Sequence, residues 1–320
     1  MPESPERHFA SPLAIRPWIP YHSPIMLQPR SLGFVHALLA VIIWSGNFVI
    51  ASGFVDALPP ITLAALRWST ATVFFLPFVI GRMRREWPAI RENMLPLCAS
   101  ALTGVTIFNT LIYISARTTD TVNLALLAGT TPVFVVLLSR LFLGEKISLF
   151  RSMGLLVAIC GMVAIATRGD LDVLRELRFR PGDLTMLLAG LLWAVYSILI
   201  KRRSQSVSLP SFLGVTFLIG VIPLIPAAII EQGFRPAWEL TPGIVGAALY
   251  TGLGASLAAF FLWSSAVSLI GPGTASLFQY LTPVFSGLAA ALLLGQPITP
   301  WHGIGFVLIF SGVVLATRRR

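Results

Sequence analysis

Charge is what this sequence has least of. Only 11% of its 320 residues are Asp, Glu, Lys or Arg, against 56% hydrophobic residues and a mean hydropathy of +0.83. That leaves too little polar surface to cover a water-soluble globule of this length. Histidine is almost as scarce: the four, at 8, 22, 36 and 302, are too dispersed for a HExxH zinc site or a Cys/His cluster. The two cysteines, Cys98 and Cys160, lie in separate apolar runs without CxxC spacing. They imply neither metal nor disulfide framework and are expected to be packing residues. There is no GxSxG, and no Asp or Glu sits deep in an apolar run. An intramembrane enzyme, which needs a nucleophile, an acid/base pair or metal ligands, is therefore the weakest reading, and no metal or cofactor is expected. The missing carboxylate relay also leaves coupling to protons without support.

What the chain does have is length without charge. A hydrocarbon core roughly 30 Å thick needs about 20 apolar residues per helix. Ten such runs occur, at 33–54, 61–80, 94–116, 121–142, 149–167, 182–200, 211–230, 243–267, 273–294 and 301–317. They are continuously apolar instead of alternating, which excludes a barrel and predicts an all-α membrane protein with ten transmembrane helices. Residues 1–30 differ in kind, with seven prolines and no apolar run, and are expected to be a disordered cytoplasmic tail; Met26 is an alternative start.

The net charge of +10 raises nucleic acid as a partner, so the placement of the basic residues has to decide. Arg82, Arg84, Arg85 and Arg91 follow the second run, Arg140, Lys146 and Arg151 surround the end of the fourth, Lys201 to Arg203 follow the sixth, and Arg318 to Arg320 follow the tenth. These loops share one side with the tail. The positive-inside rule then places both termini in the cytoplasm of a cell-membrane protein. The segment 168–180 dissents with four arginines, but carries Asp170, Asp172 and Glu176 beside them. Basicity reports membrane orientation, and nucleic acid is not an expected partner.

Residues 130–147, TTPVFVVLLSRLFLGEKI, return at 281–298 as LTPVFSGLAAALLLGQPI, displaced by 151 positions without a gap. Five runs separate the copies, and an odd number of crossings makes the second copy enter the bilayer from the opposite side. The repeat is inverted. Arg140, Glu145, Lys146 and Arg151 become Ala291, Gln296, Pro297 and His302, so charge is lost where the orientation disfavours it. Packing letters persist: Pro132 with Pro283, Gly144 with Gly295, Gly154 with Gly305, Gly161 with Gly312. Earlier in each half, LLAVIIW ending at Trp44 echoes LLAGLLW ending at Trp193.

With WSGNF at 44–48, Arg67, TPVF at 131–134, LGE at 143–145 and Gly154 and Gly161 in this order, the sequence resembles the EamA domains of the drug/metabolite transporter superfamily. The likeness divides the chain into a first unit over 33–167 and a second over 182–318. It departs from the family pattern at Gln296, where a second Glu is frequent. The resemblance implies a carrier, here an exporter, of small metabolites, amino acids or drugs across the inner membrane by alternating access. Inverted repeats support the same reading, because two halves that exchange conformations open one midplane site to each side in turn. A channel is the alternative class; it would need a charged ring or pore loop, and neither is visible.

Intramembrane ionisable groups are functional candidates by default, and Arg67 is the clear one. It either binds a substrate carboxylate or holds the fold by reaching helix-end carbonyls. Trp44, Ser45, Asn47, Asn109, Tyr113, Asn123, Trp193, Tyr196, Trp263, Gln279 and Tyr280 form a second tier of polar and aromatic mid-run residues, expected to line a central cavity. Individually each also fits as interhelical glue. Pro132 and Pro283 are candidate hinges. Glu145, in a loop beside Lys146, fits a local ion pair better than proton transfer. The implied partners are a small-molecule substrate and the lipid bilayer; no oligomeric state is assigned.

Overall fold

The computed structural model of the protein describes residues 28–54, 58–170, 172–234 and 241–318. Among them, ten helices are long and apolar enough to cross a membrane. In chain order these are α1 (Pro29–Phe54), α2 (Pro60–Arg85), α3 (Met94–Thr118), α4 (Val122–Leu143), α5 (Leu149–Thr167), α6 (Pro181–Arg202), α7 (Leu209–Gly233), α8 (Pro242–Ile270), α9 (Pro272–Leu294) and α10 (Pro300–Thr317). No strand occurs among the described residues. Short helices at Trp87–Glu92 and Asp172–Arg175 sit in connections. The expected tail, including Met26, falls outside the described residues up to position 27, as do Asp56, Arg235, Arg319 and Arg320. Helix α1 starts before the predicted 33: Pro29 and Arg30 already form its first turn, where a proline's fixed φ fits and its missing N–H costs nothing.

The outer surface carries large apolar side chains that water would disfavour, with Phe78, Leu95 and Leu292 at 85%, 83% and 77% exposure. A bilayer is the solvent that accepts them. Cys160 belongs to this outer face and Cys98 is only half-buried, which corrects the expectation that both are packing residues. The interior is built from Trp68, Trp193, Trp263, Tyr196, Phe217 and Phe260. Arg30 Nη2 donates to the carbonyl of Thr317 at 3.1 Å, so the start of α1 and the end of α10 meet at one face, called here the terminal face. At a joint on that same face, Ser208 at the start of α7 donates its N–H and O–H to Glu86 at 2.9 and 3.0 Å. Burial pushes the Glu86 carboxyl up, but these bonds, with Ser211 and Arg82, hold it below its ordinary value.

The repeat is inverted in space as well as in sequence. Helices α5 and α10 run antiparallel, and Gly154 lies against Gly312 while Gly161 lies against Gly305. Because Gly305 and Gly312 are the repeat partners of Gly154 and Gly161, each contact is the symmetry mate of the other, as at a two-fold interface. A Cβ at Gly161 or Gly305 would stand 2.8 Å from the other's carbonyl oxygen, so only glycine lets the backbones approach this closely. The retained Gly144 and Gly295 end α4 and α9 with φ of 67° and 65°, a left-handed cap that side chains resist.

Both α4 and α9 are broken. Helix α4 turns at Gly129 and Thr130, and α9 passes through a tight 3₁₀ stretch, Ser276–Leu281. Pro132 and Pro283 open the helical segments that resume after these breaks, at Thr131–Leu143 and Thr282–Leu294. Each therefore occupies a first turn, where proline is tolerated, instead of a helix interior.

Candidate functional site

Two wide π-helical stretches, Ala101–Ile107 in α3 and Tyr250–Ala258 in α8, fall at repeat-equivalent places. A π turn leaves carbonyls free of their usual i to i+4 partners and tends to mark functional positions. Here the freed groups are used. Asn109 Nδ2 donates to the Gly104 carbonyl at 3.2 Å in the first half. In the second, the carbonyl of Ala255, the repeat partner of Gly104, accepts from both Trp44 Nε1 at 2.8 Å and Arg67 Nη2 at 3.0 Å.

Arg67 does not reach for the surface: it is 3% exposed. Its Nε donates to Ser256 Oγ, its Nη1 to Tyr113 Oη at 3.1 Å, and its guanidinium carbon lies 5.5 Å from the centre of the Trp68 ring. Helices α2, α3 and α8 are thus joined at one side chain. Among the described residues, no carboxylate pairs with it. Every hydrogen-bond partner is neutral. Five N–H donors serve three bonds, leaving two, so a buried positive charge stands inside the membrane layer with spare donors and no counter-ion.

Beside it the rings predicted from sequence converge. Trp44 and Trp193, equivalent in the two halves, meet edge to face with centroids 5.3 Å apart. Trp263 lies 5.4 Å from Trp44 and 5.6 Å from Trp193, and Tyr196 lies 5.4 Å from Trp193. Trp193, Tyr196 and Trp263 are fully buried, so in this conformation the rings close the centre to solvent. Among the described residues, the indole N–H groups of Trp68, Trp193 and Trp263 have no hydrogen-bond partner. Buried donors of this kind are costly unless something accepts from them. Asn47, one turn after Trp44 in α1, likewise has no partner for Oδ1 among the described residues.

Other candidates lie elsewhere. Asn123 donates to Asp183 Oδ2 and the Arg178 carbonyl, both at 3.1 Å, at the face opposite the termini, where Thr119 and Arg180 N–H also serve that carboxylate. Tyr280 donates to the carbonyl of its own repeat partner, Gly129, at 3.0 Å, and so ties the break in α9 to the break in α4. It packs in a separate core cluster with Val41, Met162 and Ile309. Gln279, in the same stretch of α9, has no partner for Oε1 among the described residues. Ser45 donates to the Thr282 carbonyl at 3.2 Å, docking α1 on the resumed segment of α9. Glu145 pairs with Arg151 at 3.3 Å, not with the adjacent Lys146. Sequence reasoning overlooked Trp68 and Phe260, whose rings join the cluster at 4.8 Å from each other, although Trp68 carried the same mid-run tryptophan signal as the others. It also had no means of finding the Ala255 carbonyl, a backbone atom exposed by helix geometry alone.

A family model described as the EamA-like transporter family matches residues 31–167 and again 180–318, and the chain belongs to that family. It is 26% identical over 289 residues to an uncharacterized transporter, YyaM, of Bacillus subtilis (strain 168), covering 90% of this chain and 94% of that protein. It is also 26% identical over 286 residues to a protein of Streptantibioticus cattleyicolor named "Probable terminal-alkyne amino-acid exporter", covering 88% and 92% of the two chains. A solved crystal structure superposes with a TM-score of 0.73 at 20% identity over 90% of this chain and 97% of the other, which is a likeness of fold.

Proposed function

We propose that this transporter exports a small metabolite bearing a carboxylate beside an apolar body, of the amino-acid type, by alternating access around the Arg67 and tryptophan site. The observation that carries the reading is the uncompensated guanidinium at the edge of a ring cluster whose N–H donors lack acceptors. An incoming carboxylate supplies the missing counter-charge and acceptors together, and its apolar part replaces ring-to-ring contact with ring-to-substrate contact. The name of the Streptantibioticus cattleyicolor relative is in keeping with an amino-acid substrate and with export. The two halves, 33–167 and 182–318, act as exchanging units, with Pro132 and Pro283 as hinges at the breaks of α4 and α9 and the terminal face toward the cytoplasm.

The test is flux in vesicles holding the purified protein, screened across amino acids and other carboxylates against neutral analogues of the same shape. Saturable flux confined to the carboxylates is expected, and Trp193→Ala should cut it while the melting temperature falls little. Flux that rises without saturation would favour a channel. A melting loss that accounts for the whole flux loss would reduce Trp193 to a packing residue, since large-to-small core changes cost about 3–5 kcal/mol.

A further inference from the structure

At the terminal face, a pocket of about 340 Å³ opens between five elements: α1, the α4–α5 connection, α8, α9 and the end of α10. Its wall is formed by Arg30 of α1, Lys146 and Arg151 around the α4–α5 connection, Thr274 of α9, and Arg318 after α10, with Glu145 as the one acid. Glu145 is already committed. It pairs with Arg151, and its carboxylate is wedged against the hairpin between α8 and α9, where a Cβ at Gly271 or Gly273 would come within 2.6 and 2.5 Å of it. The second Arg151 branch donates to Thr274 Oγ1 at 3.0 Å. Among the described residues, neither Lys146 nor Arg318 has an acidic partner. The lining therefore holds three more positive than negative side chains, and Arg319 and Arg320 follow it in the chain.

Position narrows the ligand. The pocket floor includes Leu269, Ile270 and Ala316, and Leu149, beside the lining residue Ser148, is 72% exposed on the outer surface. Cationic lining and lipid-facing apolar side chains thus adjoin at one level, where a phospholipid presents its phosphate. The volume is roughly tenfold that of one water, about 30 Å³. We infer that this pocket binds a phosphate-bearing anion, supplied by the headgroup of an anionic lipid in the leaflet at the terminal face. Guanidinium and ammonium donors suit phosphate oxygens, and basic pockets between transmembrane helices serve such headgroups. The lipid would bridge α1, the α4–α5 connection and the end of α10, three pieces that no covalent loop joins to one another. The inference is independent of the transported substrate.

The measurement uses the full chain in neutral detergent, titrated with phosphatidylglycerol or phosphatidylcholine and followed by native mass spectrometry and by melting. Saturable phosphatidylglycerol binding is expected, unaffected by equimolar phosphatidylcholine and weakened by salt. The pair Lys146→Gln and Arg318→Gln should weaken it about tenfold or more while leaving the lipid-free melting temperature unchanged. If the pair variant melts early, Lys146→Gln alone, on an exposed loop, carries the comparison. Wild-type affinity in Lys146→Gln, or equal displacement by phosphatidylcholine, would overturn the site. Equal displacement by inorganic phosphate at the same concentration would overturn the lipid as its source.

Discussion

Arg67 concentrates the conflict between stability and transport in one side chain. Its three hydrogen bonds reach Tyr113, Ser256 and the Ala255 carbonyl; removing it strands the two hydroxyls and ends a cation-π contact with Trp68, while the carbonyl keeps its bond from Trp44. Arg67→Ala should lower stability by roughly 2–4 kcal/mol and abolish flux. Arg67→Lys keeps the charge but not the fork that spans α3 and α8, so it should melt nearly as early. The informative quantity is the flux that remains in Arg67→Lys at a temperature where both variants are folded. A site that reads charge alone leaves part of the carboxylate flux with Lys and none with Ala, a bidentate site loses it with both, and a melting loss that accounts for the whole flux loss removes Arg67 from substrate binding. The unpaired indole N–H groups of Trp193 and Trp263 lack this double duty, because no protein acceptor depends on them.

Among the elements, the crossing of α5 and α10 is the joint with least slack. Gly161→Leu would drive a side chain into Gly305 and Leu308 and should cost about 3 kcal/mol or more, read as early melting in detergent. Gly81→Leu, where nothing lies within 4 Å of an added Cβ, is the control that should melt like the parent. The helices themselves were legible because a bilayer imposes one length and one composition on every span. The glycine pairs and the left-handed caps were legible as retained letters of the repeat. The breaks in α4 and α9 were legible in part: Pro132 and Pro283 signalled them, but the interruption lies just upstream, at Gly129 and at Ser276–Leu281. The π stretches were invisible, since an extra residue per turn is a matter of how α3 and α8 pack and leaves no periodic mark in a run that is apolar all round. For the same reason Asn123 was misread as central. Its type was informative, but only the fold sets it beside Asp183.

At the scale of the molecule, the shared face of the two ends makes orientation a single binary choice. A reporter active only outside the membrane should stay silent after Arg320 and report when inserted near Asp56; the reverse pattern would turn the charge argument over. The two-fold relation between the halves passes through touching equivalents, Trp44 with Trp193 and Gly129 with Tyr280. Yet α7, the counterpart of α2, contains no Lys or Arg to answer Arg67. A carrier made of two interchangeable halves would present the same chemistry to both sides and run as readily forward as backward. Here the single guanidinium belongs permanently to one half, so under the alternating access proposed above the inward-open and outward-open sites would not be energetic mirror images. Half-saturation measured from the two sides of the same vesicle must then differ. Without an energy source the maximal rates must differ in compensation, because a passive carrier cannot shift the final balance. The broken symmetry would therefore show as unequal saturated rates from the two sides, while the rates at low substrate stay equal.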